Sequence, residues 1–127
     1  MSGAPALQLV PAQTVLARVD AAPGKGRGVF AVADIPAGAV ILTDATIPLS
    51  AADCTAVVGT PVDDYYFAHP RDPARGLVVL GLSSLANHAD DPTAATEFAY
   101  DRALGWLVTL RALRPLAPGD EITRRYA

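Results

Sequence analysis

Short apolar runs separated by glycine, proline and small polar residues cover most of this chain. One of them lies between Gly76 and Gly81, and a short run with such boundaries is typical of a buried β-strand. On this pattern strands are predicted at residues 15–19, 28–33, 40–42, 77–80, 97–100 and 107–112. The sequence therefore predicts a mainly β fold.

One segment follows a helical pattern instead. Ser50 and Asp53 have the Ser-x-x-Asp spacing of a helix N-cap, in which each side chain bonds the backbone N–H of the other residue. Alanine-rich sequence follows to about residue 58, and the Gly-Thr-Pro sequence that begins at Gly59 ends it. Residues 83–87 predict a further single turn of helix.

Two segments 81 residues apart resemble each other. Residues 31–41 and 112–122 each combine an apolar strand, a proline-containing turn that ends in glycine, and a second strand. Proline sets φ for such a turn, and glycine supplies the positive φ that closes it. We expect two similar turns on opposite sides of one β-rich domain. The matched pairs are Ala31 with Ala112, Ile35 with Leu116, Gly38 with Gly119, and Ile41 with Ile122.

Composition limits the class of protein. A chain of 127 residues can build one core, so we expect a single domain at residues 14–127. Residues 1–13 are rich in proline and alanine, and we expect them to form a flexible N-terminal segment. With 51% apolar and 18% charged residues, this domain is not expected to be disordered. No nucleic-acid partner is expected, because the net charge is −3 and binders of this size are normally basic.

Cysteine count and hydropathy bear on location. Cys54 is the single cysteine, which excludes an intrachain disulfide, and with only His69 and His88 beside it no metal site is expected. No apolar run approaches the roughly 18 residues of a membrane span, and no signal-peptide pattern opens the chain. We therefore expect a cytoplasmic protein with no membrane partner.

Three short motifs carry groups that could perform chemistry. The closely spaced glycines around Gly26 favour a tight turn, or a backbone that approaches an anion. Asn87 and His88 precede an acidic loop, and an amide side chain can both donate and accept hydrogen bonds. Tyr126 is the penultimate residue, which by itself indicates a frayed end. Taken singly, each motif also has an ordinary structural explanation.

Together and in this order, the three motifs resemble the SET domain, a family of S-adenosylmethionine-dependent protein-lysine methyltransferases. The resemblance covers residues 15–126. It rests on Gly-Lys-Gly-Arg-Gly-Val-Phe-Ala from Gly24, Asn-His-Ala-Asp-Asp-Pro-Thr from Asn87, and the closing strand–turn–strand that leads to Tyr126. It implies a β-clip-like fold of several small sheets with one or two short helices. It also implies a pseudoknot, in which the closing segment threads near the Asn-His segment.

The resemblance implies roles for individual residues. S-adenosylmethionine would be held by the glycine turn and the Asn-His segment, here Gly26, Arg27, Gly28, Asn87 and His88. Tyr126 would be the catalytic residue, with its hydroxyl where lysine and cofactor meet. Tyr65 and Tyr66 are candidates for the wall of the substrate channel, with ordinary packing as the alternative. This chemistry requires no metal.

Two residues differ from the family pattern. Thr93 stands where the family usually has asparagine, and Arg125 stands where an acidic residue commonly precedes the tyrosine. These differences keep a second interpretation open, a catalytically silent SET-like module that binds without reacting. The repeated turn is also similar to turns of small β-clip domains that bind sugars or ice.

The expected partners are a lysine-bearing protein or peptide substrate and a second copy of the chain. Longer relatives cover the channel with a tail, whereas only Ala127 follows Tyr126 in this sequence, so a homodimer is expected to supply the cover. An acidic stretch could attract a basic substrate segment, although a solvated acidic face is the alternative. The acidic residues of this stretch are Asp53, Asp63, Asp64 and Asp72.

Overall fold

Two β-sheets form the framework of the chain. The computed structural model describes residues 13–126, and within that range it contains nine strands, one α-helix and two 3₁₀ turns. The strands are β1 (Ala17–Ala22), β2 (Gly26–Ala31), β3 (Val40–Leu49), β4 (Tyr66–His69), β5 (Asp72–Val79), β6 (Asn87–His88), β7 (Ala94–Asp101), β8 (Gly105–Ala112) and β9 (Glu121–Arg124). The helix is α1 (Ala51–Ala56), and the 3₁₀ turns are Pro61–Asp64 and Leu82–Leu85.

The sheet topology brings the sequence motifs together. The four-stranded sheet has the order β1-β2-β9-β6, and the five-stranded sheet has the order β4-β5-β3-β8-β7. Strand β9 runs antiparallel to β2 and parallel to β6, so the closing strand lies between the glycine-rich strand and the Asn-His strand. The predicted fold class, mainly β with several sheets and few helices, is confirmed.

The core consists of two apolar clusters. The larger one holds both copies of the repeated turn, because Ile35 and Leu116 are buried there together with residues of β2, β8 and β9. The smaller cluster is built by the five-stranded sheet from Phe67, Leu77, Val79 and Val108. Removing this apolar surface from water is the main force that holds the two sheets in place.

The repeated turns pair with each other through equivalent backbone bonds. Ile35 and Leu116 exchange both N–H···O=C bonds, at 2.9 and 2.8 Å. The closing glycines have φ of 84° and 92°, as the sequence predicts. Their bonds also correspond, from Gly38 N–H to Ala112 O and from Gly119 N–H to Ala31 O, both at 2.8 Å. Residues 31–41 and 112–122 therefore form a local two-fold pair at the centre of the molecule.

Several strand boundaries differ from the prediction. The first two strands are displaced because the β1–β2 hairpin turns at Gly24, where the N–H of Lys25 donates to Ala22 O at 2.9 Å. Strand β3 continues well past residue 42, because both of its edges are paired, with β8 first and then with β5. Strand β5 begins at Asp72 rather than at residue 77, and strand β4 was not predicted at all.

The predicted helical segments lie closer to the observed ones than the predicted strands do. Helix α1 begins after Ser50, and both reciprocal bonds between Ser50 and Asp53 are present. The predicted turn near residues 83–87 is found at Leu82–Leu85, whereas Asn87 belongs to β6 because it pairs with β9. The segment 1–13 that was expected to be flexible lies, apart from Gln13, outside the described residues. No helix in the described range is long and apolar enough to cross a membrane.

Candidate functional site

The glycine motif forms the β1–β2 hairpin. Gly24 and Gly26 have φ of 76° and 80°, a region that favours glycine. A Cβ added at Gly26 would meet no heavy atom within 4 Å. The backbone at this end of the hairpin is therefore open to close approach by a ligand.

Gly28 has the opposite environment. A Cβ at this position would lie 2.8 Å from Glu121 Oε2 and 2.9 Å from Asn87 Nδ2. Any side chain here would displace the contact between these two groups. Glycine is therefore required at residue 28 because the Asn87 amide lies directly against the β2 backbone.

Asn87 and Glu121 form a polar network beneath the hairpin. The Nδ2 group of Asn87 donates to Arg27 O and to Glu121 Oε2, both at 2.9 Å. The other carboxylate oxygen of Glu121 pairs with Lys25 Nζ at 2.5 Å. Both amide hydrogens of Asn87 are thus used within the protein, and Oδ1 is the atom left to accept a bond from a ligand. Sequence reasoning assigned Glu121 no role.

Tyr126 is anchored at three points and is not a frayed end. Its backbone N–H donates to Nδ1 of His88 at 3.0 Å, and its hydroxyl donates to Ala86 O at 3.1 Å. The two rings lie 5.1 Å apart with a tilt of 52°. Nε2 of His88 lies 2.9 Å from Asp90 Oδ1. Nδ1 of His88 therefore faces the Tyr126 backbone, and Nε2 faces the Asp90 carboxylate.

Thr93 ties the Asn-His loop to the closing strand. Its hydroxyl donates to Glu121 O at 3.0 Å and accepts from the N–H of Thr123 at 2.9 Å. Its own N–H donates to the Thr123 hydroxyl at 3.0 Å. Threonine at this position therefore makes the cross-connection with its own hydroxyl, so this departure from the family pattern leaves the site assembled.

Arg124 places a guanidinium beside Tyr126. Its side chain is buried, and its Cζ lies 3.6 Å from the centroid of the Phe67 ring and 4.8 Å from that of Tyr126. Nη1 donates to Arg125 O at 3.3 Å, whereas Nε has no partner within the described range. Burial lowers the pKa of Arg124 to about 10, which leaves it charged at neutral pH. No pattern in the sequence points to this residue.

A groove of about 1010 Å³ joins these groups to β4. Arg27 and Asn87 line it from the four-stranded sheet, and Tyr126 lines it from the segment that follows β9. Tyr65 and Tyr66 also line it. The remaining predicted cofactor residues, Gly26, Gly28 and His88, lie in strands next to the groove and are not part of its lining.

The two predicted channel tyrosines differ in how firmly they are held. Tyr65 is 46% exposed, and its backbone N–H donates to Val62 O. The Tyr66 ring lies against β5, where a Cβ added to Gly76 would come 2.5 Å from its Cδ2. Burial, followed by a hydrogen bond with Cys54, raises the pKa of Tyr66. Tyr66 is therefore a fixed part of the wall, and Tyr65 is a more accessible one.

The acidic stretch divides into two pairs. Asp63 and Asp64 line the groove. Asp53 caps α1, and the backbone N–H of Ser50 holds the pKa of its carboxyl below the usual range. Asp72 accepts from Ala74 N at 3.0 Å. Two of the four acids thus serve the local backbone. Within residues 13–126 no cluster of three or more His, Cys, Asp or Glu side chains could hold a metal ion.

Comparisons with known proteins bear on this arrangement. The SET domain profile matches residues 26–127. The structure superposes on a Plasmodium falciparum protein described as a candidate histone methyltransferase, with a TM-score of 0.74 at 22% identity over 91% of this chain and 96% of that one. It also superposes on Chaetomium thermophilum Polycomb Repressive Complex 2 bound to S-adenosylmethionine, with a TM-score of 0.68 at 20% identity.

The second superposition covers 88% of this chain but only 15% of the longer one. At these identities the structural likeness shows the fold alone. The comparison with curated protein sequences finds no significant match.

Proposed function

Because the chain belongs to the SET domain family, we propose that it transfers a methyl group from S-adenosylmethionine to a lysine side chain of a protein substrate. The observation that carries this proposal is the convergence of Asn87 and Tyr126 on one groove, where Asn87 donates a hydrogen bond to Glu121 of β9 and Tyr126 donates one to His88 of β6. These two side chains belong to motifs 39 residues apart, and only the β6–β9 pairing brings them together.

The cofactor end of the groove has groups that suit S-adenosylmethionine. Asn87 Oδ1 can accept from its amino group, and the backbone at Gly26, next to the groove rather than in its lining, is open to close approach. Arg27 lines the same end and could pair with the carboxylate. When bound, S-adenosylmethionine supplies a methyl carbon attached to a positively charged sulfur, which a neutral amine can attack.

Tyr126 would orient that amine. A lysine ammonium has a pKa of about 10.4 in water, so the reacting nitrogen must first lose a proton. The Tyr126 hydroxyl donates to Ala86 O and the ring packs against the ring of His88, so the hydroxyl oxygen can hold an amine in one direction without reorganising. Tyr66 would form the packed wall of the channel beside it.

The substrate end of the groove carries Asp63 and Asp64. These carboxylates would attract a basic segment, and the attraction would weaken as salt is added. Charge reversal at both positions should raise the KM for a basic peptide several-fold, whereas reversal at Asp72, which bonds the backbone of Ala74, should alter KM less. Equal KM values for all variants would remove this docking surface.

A catalytically silent module is the second candidate function. It is favoured by Arg124, because a permanent cation beside Tyr126 opposes entry of a lysine ammonium. In this case the protein would bind S-adenosylmethionine or a peptide without turnover. Cofactor binding in the absence of any methyl transfer would support this alternative.

The first test is titration calorimetry with S-adenosylmethionine. Asn87→Ala should weaken binding by about 1–3 kcal/mol, because it strands a buried polar partner. Thr43→Ala is the matched control, since Thr43 lies exposed on the five-stranded sheet. No binding by the wild-type protein at millimolar cofactor would end the proposal.

The second test is transfer of radiolabelled methyl to an array of lysine-containing peptides. Lys25 is the only lysine of the chain and could itself be labelled. Lys25→Arg keeps the positive charge opposite Glu121 and removes this artefact. Label on peptides with this variant supports the enzyme, and label only on wild-type protein indicates self-modification. The expected homodimer stays a prediction, which sedimentation at micromolar concentration would test.

A further inference from the structure

Among residues 13–126, no anion pairs with the charge of Arg124. Its side chain is 8% exposed. Lys25, by contrast, pairs with Glu121, and the more exposed Arg111 pairs with Glu97. The faces of Phe67 and Tyr126 are what stabilise the Arg124 cation.

Other charged groups along the groove are better solvated or already paired. Arg125 is exposed, and Asp64 lies on the surface of the 3₁₀ turn, so water screens both. Asp63 is half-buried on the same turn. His69 is buried, with Nδ1 accepting from Arg71 N.

On the strand side, Arg27 is exposed, and Lys25 is bound to Glu121. His88 uses both ring nitrogens, on Tyr126 and Asp90. The pKa of Tyr66 is raised by burial, so Tyr66 is uncharged at neutral pH. Among the described residues, Arg124 is therefore the most buried charge beside the Tyr126 ring, at 4.8 Å from its centroid.

We propose that Arg124 makes the groove accept the methyl-accepting amine only as the uncharged base, and so acts on the reaction through its fixed positive charge. This inference rests on the proposed function. Two like charges about 7 Å apart in a protein environment repel enough to shift a proton equilibrium by one to two pH units. The ammonium would give its proton to bulk water before entry. The neutral nitrogen would then take the methyl group from the sulfonium donor, and the bonding electron pair would stay on sulfur.

The direct test measures protons released on binding, and it needs no turnover. Sinefungin is an analogue of S-adenosylmethionine in which a carbon-bound amine replaces the methylated sulfur. Calorimetry at pH 8 in buffers of different ionisation enthalpy gives the number of protons released. The wild-type protein should release a large fraction of one proton, and S-adenosylhomocysteine, which lacks that amine, should release much less.

Three variants separate charge from packing. Arg124→Met removes the charge and should cut proton release at least several-fold, while Arg124→Lys should retain most of it. Arg125→Met is the matched control, since it removes the same charge from the exposed neighbouring residue and should release as many protons as wild type. Arg124→Gln replaces Arg124→Met if the latter does not fold, as judged by circular dichroism.

The kinetic test uses any lysine peptide that the array identifies. The pH dependence of kcat reports groups in the enzyme–substrate complex. Its acid-side apparent pKa should be at least one unit higher in Arg124→Met than in wild type, so kcat at pH 8 should fall about tenfold. A residue that merely fills space would lower kcat without moving the profile.

The outcomes distinguish the two proposals. If the wild-type protein binds neither analogue and labels no peptide, the proposed function fails, and this inference falls with it. If it binds and methylates, but Arg124→Met releases as many protons as wild type with an unmoved profile, the inference alone is overturned.

Discussion

The two copies of the repeated turn share a backbone conformation but lead into different strands. Residues 31–41 and 112–122 place Ile35 and Leu116 opposite each other, both almost fully buried, with equivalent hydrogen bonds on each side. Beyond the turn, the first copy continues as β3 at the centre of the five-stranded sheet. The second copy continues as the short strand β9, between β2 and β6.

Equivalent positions after the turn have opposite environments. Thr43 is exposed and pairs its hydroxyl with that of Thr109 at 3.1 Å. Arg124, which lies 81 residues later, is buried, and its Nε has no partner in the part of the chain that the structure describes. The hydroxyl after the first copy therefore has a partner on the neighbouring strand β8, whereas the buried Nε after the second copy has none among the described residues. Buried polar atoms without hydrogen-bond partners are expected at functional sites, because the geometry that a reaction needs can conflict with the usual pairing of buried polar groups.

Strand β3, which follows the first copy, also supports the site. Asp44 accepts from both the backbone N–H and the hydroxyl of Ser83, which is fully buried. Gly81 is packed so closely against Asp44 that no side chain would fit there. This contact fixes the 3₁₀ turn that leads to Ala86 and Asn87. The strand after the first copy thus supports the framework of the site, and the segment after the second copy carries side chains that line the groove.

The largest expected effect is on turnover, at Tyr126, which lies four residues after the second copy. Tyr126→Phe should lower kcat by about 100-fold, the usual cost of removing one positioned hydrogen-bonding group. Cofactor affinity should stay nearly constant, and the free energy of unfolding should fall by only about 1 kcal/mol with loss of the bond to Ala86. The first copy has Ala45 at the equivalent position, so no matching effect exists there.

Tyr100→Phe is the control for this prediction. Tyr100 is 58% exposed on β7 and does not line the groove. Its rate of methyl transfer should equal that of the wild type. Equal rates for Tyr126→Phe as well would remove Tyr126 from the mechanism.

The next effect is a loss of folding stability, which should be the same in both copies. Ile35→Ala and Leu116→Ala should each lower the free energy of unfolding by about 2–5 kcal/mol, because each leaves a cavity in the larger cluster. The two losses, measured by urea unfolding, should agree within about 1 kcal/mol. The double variant should lose less than the sum, since neighbouring sites couple. A large loss in only one copy would break the two-fold relation.

The fold class and the repeated turn could be predicted because their signals are local. Apolar spacing, the Ser50 cap and the turn glycines each act within a few residues. Strand β4 escaped prediction because His69 is buried, which breaks the usual alternation of apolar and polar residues. Its burial is possible because Nδ1 accepts from Arg71 N and the ring contacts Trp106 edge-on.

The site could be predicted only in part. Motif resemblance pointed to Asn87 and Tyr126, and the structure brings both to one groove. Glu121 was noted only as part of the closing motif, and Arg124 gave no local signal, because their roles arise from the parallel pairing of β9 with β6 and from contact with β4. No spacing along the chain encodes those contacts.

A smaller effect should separate the two copies. Gly38→Ala and Gly119→Ala should each cost about 1–2 kcal/mol of stability, because both glycines have left-handed φ with open space around the Cβ position. Only Gly119→Ala should also weaken S-adenosylmethionine binding, several-fold, since Glu121 lies only two residues further along the chain. Equal affinities in the two variants would show that β9 tolerates the strain without moving the Asn87 network.

The smallest expected effect is the contribution of Arg124 to the pH dependence of stability. Its pKa is lowered by burial from 12.5 to about 10, so above pH 10 the unfolded chain binds more protons at this residue than the folded chain does. The contribution of Arg124 to stability should therefore rise with pH above 10. Relative to Arg124→Met, the wild-type protein should gain about 1 kcal/mol between pH 9 and pH 11 in urea unfolding.

At neutral pH, Arg124→Met should be as stable as the wild type or more so, because removing a buried charge offsets the lost stacking on Phe67. Thr43→Met, the equivalent substitution in the first copy, should show no such gain. Parallel curves for wild type and Arg124→Met would mean that the guanidinium is solvated, and the contrast between the two copies would then rest on Tyr126 alone.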